Sequence, residues 1–211
     1  GADGMESAVD ENNSNLIFGM IQFGSLYRST NGGNNLNNLG SPENGAWVTP
    51  MQSDPNADRL ICGYNDLHEY DYAGGWNQIS TFNFSGTIRK IEIFPGNSNT
   101  IYVASYDELH KTTNGGGAFN NITGTLNVGS GITSIECHPT DINRVWVTCG
   151  GTSGSRIYYS ANGGGAWTDI TGSMPNLPVN IIKYEEGPSD GLYIGTDIGV
   201  YYRDNNTGDW V

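Results

Sequence analysis

Side chains able to do chemistry recur at one kind of place in this sequence. Short polar segments holding Gln22, Tyr64-Asn65-Asp66, Tyr106-Asp107-Glu108, the insertion Gly150 to Ser155, and Thr196-Asp197 each follow a brief apolar run. Asp3 and Glu6 stand ahead of the first such run. Carboxylates and amides take sugar hydroxyls, and tyrosine rings stack on pyranose faces. Gln22, Tyr64, Asn65, Asp66, Tyr106, Asp107, Glu108 and Asp197 therefore form a candidate binding set, the alternative being ordinary polar loop tips. The acids allow a second chemistry. Two carboxylates about 5 to 9.5 Å apart can cleave a glycosidic bond, one as acid and the other as base or nucleophile. Asp66, Asp107 and Asp197 are the catalytic candidates, with Asp3 and Glu108 as further acids from the same segments.

Whether these segments converge depends on the elements between them, and those elements are repeats. The stretch Ile157 to Ile170 reads as two strands joined by a tight glycine turn, Asn162-Gly163-Gly164-Gly165-Ala166-Trp167. It is copied as Thr112-Thr113-Asn114-Gly115-Gly116-Gly117-Ala118-Phe119 and, more loosely, as Ser29-Thr30-Asn31-Gly32-Gly33. Reading backwards from each turn gives a first strand, a polar turn, a second strand, a short loop and a third strand. The second strands are Ile17 to Gly19, Leu60 to Cys62, Ile101 to Val103, Val145 to Val147 and Leu192 to Ile194. Ser7, Pro50, Ile91, Ile135 and Ile182 stand at one fixed distance ahead of them, which predicts a repeated hairpin. Third strands begin at Leu26, Leu67, Leu109, Ile157 and Val200; fourth strands open at Leu36, Trp76, Phe119, Trp167 and Trp210. Those last positions are spaced 40, 43, 48 and 43 residues apart, the length of a four-stranded unit.

The fold class expected is all-β: a β-propeller of four-stranded antiparallel blades, with five blade units in this chain and the whole an arc of a larger propeller. The units run over about residues 4–46, 47–87, 88–131, 132–178 and 179–211, the last cut short as its outermost strand begins. The chain does not begin with Met, and it reads as a piece of something longer. Further blades, from the same protein or another chain, are expected to cover its outer faces.

Composition narrows the partners. Nine basic residues stand against 22 acidic ones, a formal charge of −13, which repels nucleic acid and anionic membranes at long range. No apolar run approaches membrane-spanning length, so membrane insertion is not expected. Cys62, Cys137 and Cys149 are an odd number without a CxxC pair and read as small buried hydrophobes. His68 and His110 occupy positions held elsewhere by Tyr27, Tyr158 and Tyr201, leaving only His138, too little for a metal site. No metal and no cofactor is expected. The triple glycines are not a phosphate cradle, because no Gly-Lys-Ser/Thr follows them.

On Ser160, Asn162, Gly164 and Trp167, on Thr112, Asn114, Gly116 and Phe119, and on Ser29, Asn31 and Gly33, the chain resembles the Asp-box (BNR) repeat, S-x-D-x-G-x-x-W, with Asn for Asp. That repeat belongs to sialidases, xyloglucan-hydrolysing glycosidases and sortilin-type Vps10 receptors. Copies at Asp71 to Trp76 and Asp204 to Trp210 are degenerate. The Asn-Gly-Gly-Gly-Ala-Trp turns with Thr171-Gly172-Ser173-Met174-Pro175 also resemble secreted multi-blade "glycosyl hydrolase-like" proteins of Bacteroidetes, cargo of type IX secretion. The resemblance implies a secreted or bacterial cell-surface protein. It also implies that ligands meet the propeller end bearing second-to-third and inter-unit connections, opposite the box turns, whose role is structural. A sialidase needs arginines converging on a carboxylate. Arg59 and Arg144 fall in turns at the other end, Arg28 and Arg203 lie in third strands, and only Arg156 is near the ligand end. Two function classes remain: a non-catalytic scaffold or module binding a glycan or protein, and, as the alternative, a xyloglucanase-like glycoside hydrolase.

Overall fold

The computed structural model describes residues 3–10, 12–80 and 84–211. Its strands form five antiparallel sheets in chain order. Blade 1 holds β1 (Gly4–Val9), β2 (Ile17–Ile21), β3 (Leu26–Ser29) and β4 (Asn37–Gly40). Blade 2 holds β5 (Met51–Ser53), β6 (Arg59–Gly63), β7 (Leu67–Asp71) and β8 (Gly75–Gln78). Blade 3 holds β9 (Lys90–Ile93), β10 (Ile101–Ala104), β11 (Leu109–Thr112) and β12 (Asn120–Asn121). Blade 4 holds β13 (Ile132–Cys137), β14 (Val145–Cys149), β15 (Ile157–Ser160) and β16 (Thr168–Asp169). Blade 5 holds β17 (Val179–Glu185), β18 (Gly191–Thr196) and β19 (Val200–Arg203), beside which Tyr202 and Val211 exchange backbone hydrogen bonds where a fourth strand would start.

The blades lean on one another because both faces of each central strand are apolar. Leu60 and Cys62 point to blade 1 and join Phe18, Met20 and Leu26, while Ile61 between them points to blade 3 and joins Ile101 and Val103. Tyr102 and Ala104 then face blade 4 with Val145 and Val147, and Trp146 faces blade 5 with Ile182 and Ile194. Period-2 alternation on doubly buried strands thus builds four apolar clusters, one per junction. All three cysteines are free thiols inside these clusters, and burial pushes the Cys149 thiol up to about 12.

The innermost strands β1, β5, β9, β13 and β17 neighbour one another in that order, and no comparable packing joins β17 back to β1 among the described residues. The molecule is an arc of blades. Its last face is apolar and open: Ile181, Tyr193 and Val200 stand exposed there. Strand pairing equates Tyr193 and Tyr202 with Trp146 and Tyr159 of blade 4, residues that pack towards blade 5.

One sequence expectation is off by a residue. In blades 1, 3, 4 and 5 the marker residues pair as expected, Ile91 with Val103 and Ile135 with Val147 for example, but in blade 2 the equivalent partner of Cys62 is Met51, not Pro50. The blade 2 hairpin turn, residues 54–59 between paired Ser53 and Leu60, is one residue shorter than 94–100 between Ile93 and Ile101. Asp54 closes that shorter turn by accepting from Asn56 N and from Arg59 Nε at 2.8 Å.

Candidate functional site

Three glycine turns share one hydrogen-bond network. Ser29, Thr112 and Ser160 each donate a side-chain hydroxyl to the amide oxygen of the Asn two residues on, at 2.8 to 2.9 Å. The same hydroxyls accept from the backbone of Gly33, Gly116 and Gly164, and the Asn oxygens accept from Asn35, Ala118 and Ala166. Gly164 has φ +94°, and a Cβ there would lie 2.4 Å from Ile122 Cδ1, so glycine is required twice over. Tryptophans at the start of the fourth strands of blades 2, 4 and 5 reach the preceding blade: indole N–H groups of Trp76, Trp167 and Trp210 donate to carbonyl oxygens of Leu39, Ile122 and Ile170. These turns fasten blades and line no inner surface.

The opposite end carries a depression of about 550 Å³ where the inner strands begin. Its wall includes Trp47 and Val48 ahead of β5, Thr87, Arg89 and Lys90 at the start of β9, Ser130 to Thr133 at the start of β13, Asn180 of β17, Glu6 of β1, and Tyr106 from the β10–β11 loop. Trp47 is 55% exposed and Tyr106 46%. Beside Trp47 stands Phe23, 49% exposed, their rings edge to face with centroids 5.3 Å apart. Phe23 holds φ +62°, a left-handed conformation that costs a non-glycine residue about 1 to 3 kcal/mol. Backbone bonds from Phe23 N to Trp47 O and from Gly45 N to Phe23 O keep it there. Arg89 lies over the Tyr106 ring at 5.4 Å, and a Cβ on Gly131 would come within 2.8 Å of that ring.

The candidate residues read from sequence fall into separate groups. Tyr106 lines the depression, and Asp197 accepts from the lining Asn180 at 2.8 Å. Asp107 accepts from Ser85, Glu108 lies 3.3 Å from His110 Nε2, and Gln22 donates to Asp3. Asn65 and the backbone N–H of Asp66 both donate to Glu43, whose carboxylate also lies 3.0 Å from His68 Nε2. Burial and then the nearby Glu43 carboxylate raise the Asp66 pKa. Tyr64 is not on the rim at all. It is fully buried, its hydroxyl donating to Gly24 O of blade 1 at 2.6 Å and its ring packed edge-on against His68 and Trp76. Arg156 is likewise buried, donating to Pro175 O and Asn176. Sequence reading passed over Trp47, Arg89, Lys90, Asn180 and Glu43. The signal was present, since inter-unit connections share this end, but those connections follow no repeat register.

Among the described residues no cluster of three or more His, Cys, Asp or Glu is arranged to hold a metal ion. No helix is long and apolar enough to cross a membrane.

No protein-family profile matches the chain, and no curated protein does. Solved structures match closely in shape. The GH74 xyloglucanase from Xanthomonas campestris superposes with TM-score 0.79 at 12% identity, over 100% of this chain and 37% of that one. The GH74 enzyme of Niastella koreensis gives 0.73 at 19% identity, over 98% and 37% respectively. YCF48 bound to D1 peptide gives 0.66 at 11% identity, over 100% and 66%. The chain thus spans about a third of the length of those enzymes. At such identities the likeness concerns the fold, and the fold is a β-propeller.

Proposed function

We propose that this chain is the ligand-binding part of a secreted or bacterial cell-surface β-propeller of Asp-box type, that it takes a glycan or protein ligand in the depression around Trp47 and Tyr106, and that it does not hydrolyse what it binds. The observation that carries the reading is the wall of that depression, which gathers exposed aromatic, hydroxyl and amide side chains from four blades but, among the described residues, holds one carboxylate, Glu6. Glycosidic hydrolysis by two carboxylates needs a second acid across the ligand. Neither Asp66 nor Asp107 lines the depression, and the Asp107 carboxylate accepts from Ser85 instead. Support for a ligand at such a fold comes from neighbours that bind peptides, YCF48 with D1 peptide and the Chaetomium thermophilum Sqt1 with the N-terminus of ribosomal protein L10. An extracellular setting is supported by the similar extracellular domain of a hybrid two-component system from B. thetaiotaomicron. The open apolar face of blade 5 supports further blades from the same protein or another chain.

The test is a binding screen of the purified chain against glycan and peptide panels, repeated with Trp47→Ala, together with reducing-end release from xyloglucan and β-glucan. Binding lost in Trp47→Ala without hydrolysis is the expected result. Hydrolysis abolished by Asp66→Asn or Asp107→Asn would establish the hydrolase reading instead.

A further inference from the structure

The depression differs in charge from the chain that carries it. Of the nine basic residues, Arg59, Arg144 and Lys183 pair with carboxylates, and Arg28, Lys111, Arg156 and Arg203 donate to backbone carbonyl oxygens. Arg89 and Lys90 are the two whose side chains have neither a hydrogen bond nor an ion pair among the described residues, and both line the depression. In a chain of net charge −13, carboxylates available to neutralise them are plentiful. Yet among the described residues the wall supplies Glu6 alone, and Asp197 accepts from the lining Asn180. Unpaired cations in a concave site that also presents an exposed indole favour a bound anion. The same Arg89, Lys90 and Glu6 continue into a smaller hollow of about 260 Å³ along the inner strands, lined also by Glu92 and Lys183. Burial, with Glu136 nearby, pushes the Glu92 carboxyl up to about 8, so it adds little negative charge there at neutral pH.

Resting on the binding reading above, we infer that the depression recognises a uronate-bearing polysaccharide: sugar carboxylates on Arg89 and Lys90, a pyranose face on Trp47, and ring hydroxyls on Thr87, Ser130 and Asn180. The hydroxyl and amide groups of the wall both donate and accept, as sugar hydroxyls require. Trp47 offers an exposed flat surface braced by Phe23. An acidic peptide is the competing class and enters the test.

The experiment is isothermal titration of the purified chain with tetragalacturonate, a neutral xyloglucan oligosaccharide and polyglutamate, at low and high salt. Tetragalacturonate is expected to bind, to weaken about tenfold in either Arg89→Ala or Lys90→Gln, to weaken further with salt, and to recover most of its affinity in Arg89→Lys. Circular dichroism of each variant separates lost binding from lost fold. Neutral oligosaccharide bound equally well and indifferent to Arg89→Ala would overturn the charge assignment while leaving the binding module intact. Polyglutamate bound in place of tetragalacturonate would overturn the sugar assignment in favour of acidic peptide. Failure of tetragalacturonate to bind at millimolar concentration overturns the inference, and the Trp47→Ala screen then decides separately whether the depression binds anything.

Discussion

The indole N–H of Trp167 donates to the carbonyl oxygen of Ile122 at 2.7 Å across the junction between blades 3 and 4. The bond is matched by Trp210 on Ile170 and Trp76 on Leu39, so in blades 2, 4 and 5 a tryptophan ties its blade to the one before. Phe119 stands at the equivalent place in blade 3, packed on Phe84 with no indole to offer.

Trp167→Phe tests this tie. Removing the donor leaves the Ile122 carbonyl short of a partner, and a loss of about 1 to 2 kcal/mol is expected in denaturant unfolding. Indistinguishable midpoints for variant and parent would show that the bond contributes nothing.

Asn162 is the acceptor of its turn, taking Ser160 Oγ and Ala166 N at 2.9 and 2.8 Å. Asn162→Ala should lower stability by about 1 kcal/mol, whereas Asn162→Asp keeps both acceptor positions and should stay within about 0.5 kcal/mol of the parent. Thermal melts of the two would separate an acceptor role from a need for the amide; equal losses would contradict the acceptor role.

Tyr64→Phe removes the hydroxyl that reaches Gly24 O and should cost about 1 kcal/mol or a little more, leaving a buried carbonyl unpaired. Its ring is buried beneath the rim, so ligand affinity should not change. Paired unfolding and binding measurements check both halves, and a variant of normal stability with weakened binding would return Tyr64 to the site.

Glu92 makes stability depend on pH. Burial first, then the Glu136 carboxylate, raises its folded-state pKa to about 8, against about 4.3 for an unfolded glutamate. Between these values the folded chain keeps a proton that the unfolded chain has released, so this contribution is greatest below the window and falls as pH rises through it. Glu92→Gln retains an acceptor for Cys137 N, as Gln52 does for Ile93 N in the equivalent place one blade earlier. The stability gap in favour of the variant should widen from about pH 5 to about pH 8 in urea titrations. Curves that run parallel would assign the titration elsewhere.

The blades were legible in the sequence because their causes are local. Apolar runs such as Val145 to Val147 and turns such as Asn162-Gly163-Gly164 announce strands and reversals without reference to distant residues. The site was less so. Tyr64 sits in a polar loop by sequence, yet its burial is decided by Gly24, 40 residues away in another blade. Trp47, Arg89 and Lys90 meet only because β5 and β9 start at the same end of the arc, and nothing in their immediate neighbours encodes that meeting. The blade 2 register slipped for a related reason: a turn one residue shorter, closed by Asp54 and Arg59, leaves the same alternation of apolar residues on either side.

The apolar clusters belong to junctions and not to blades, and this makes the arc behave thermodynamically like a zipper. In this chain taken by itself, blades 2 to 4 are clasped on two sides and blades 1 and 5 on a single side, so with nearest-neighbour coupling its opening should begin at blades 1 and 5 and travel inward. Amide protons of β10 and β14 should then exchange last, and those of β2 and β18 first among the central strands. Stability would be set by how many neighbours a blade keeps, more than by the quality of any one sheet.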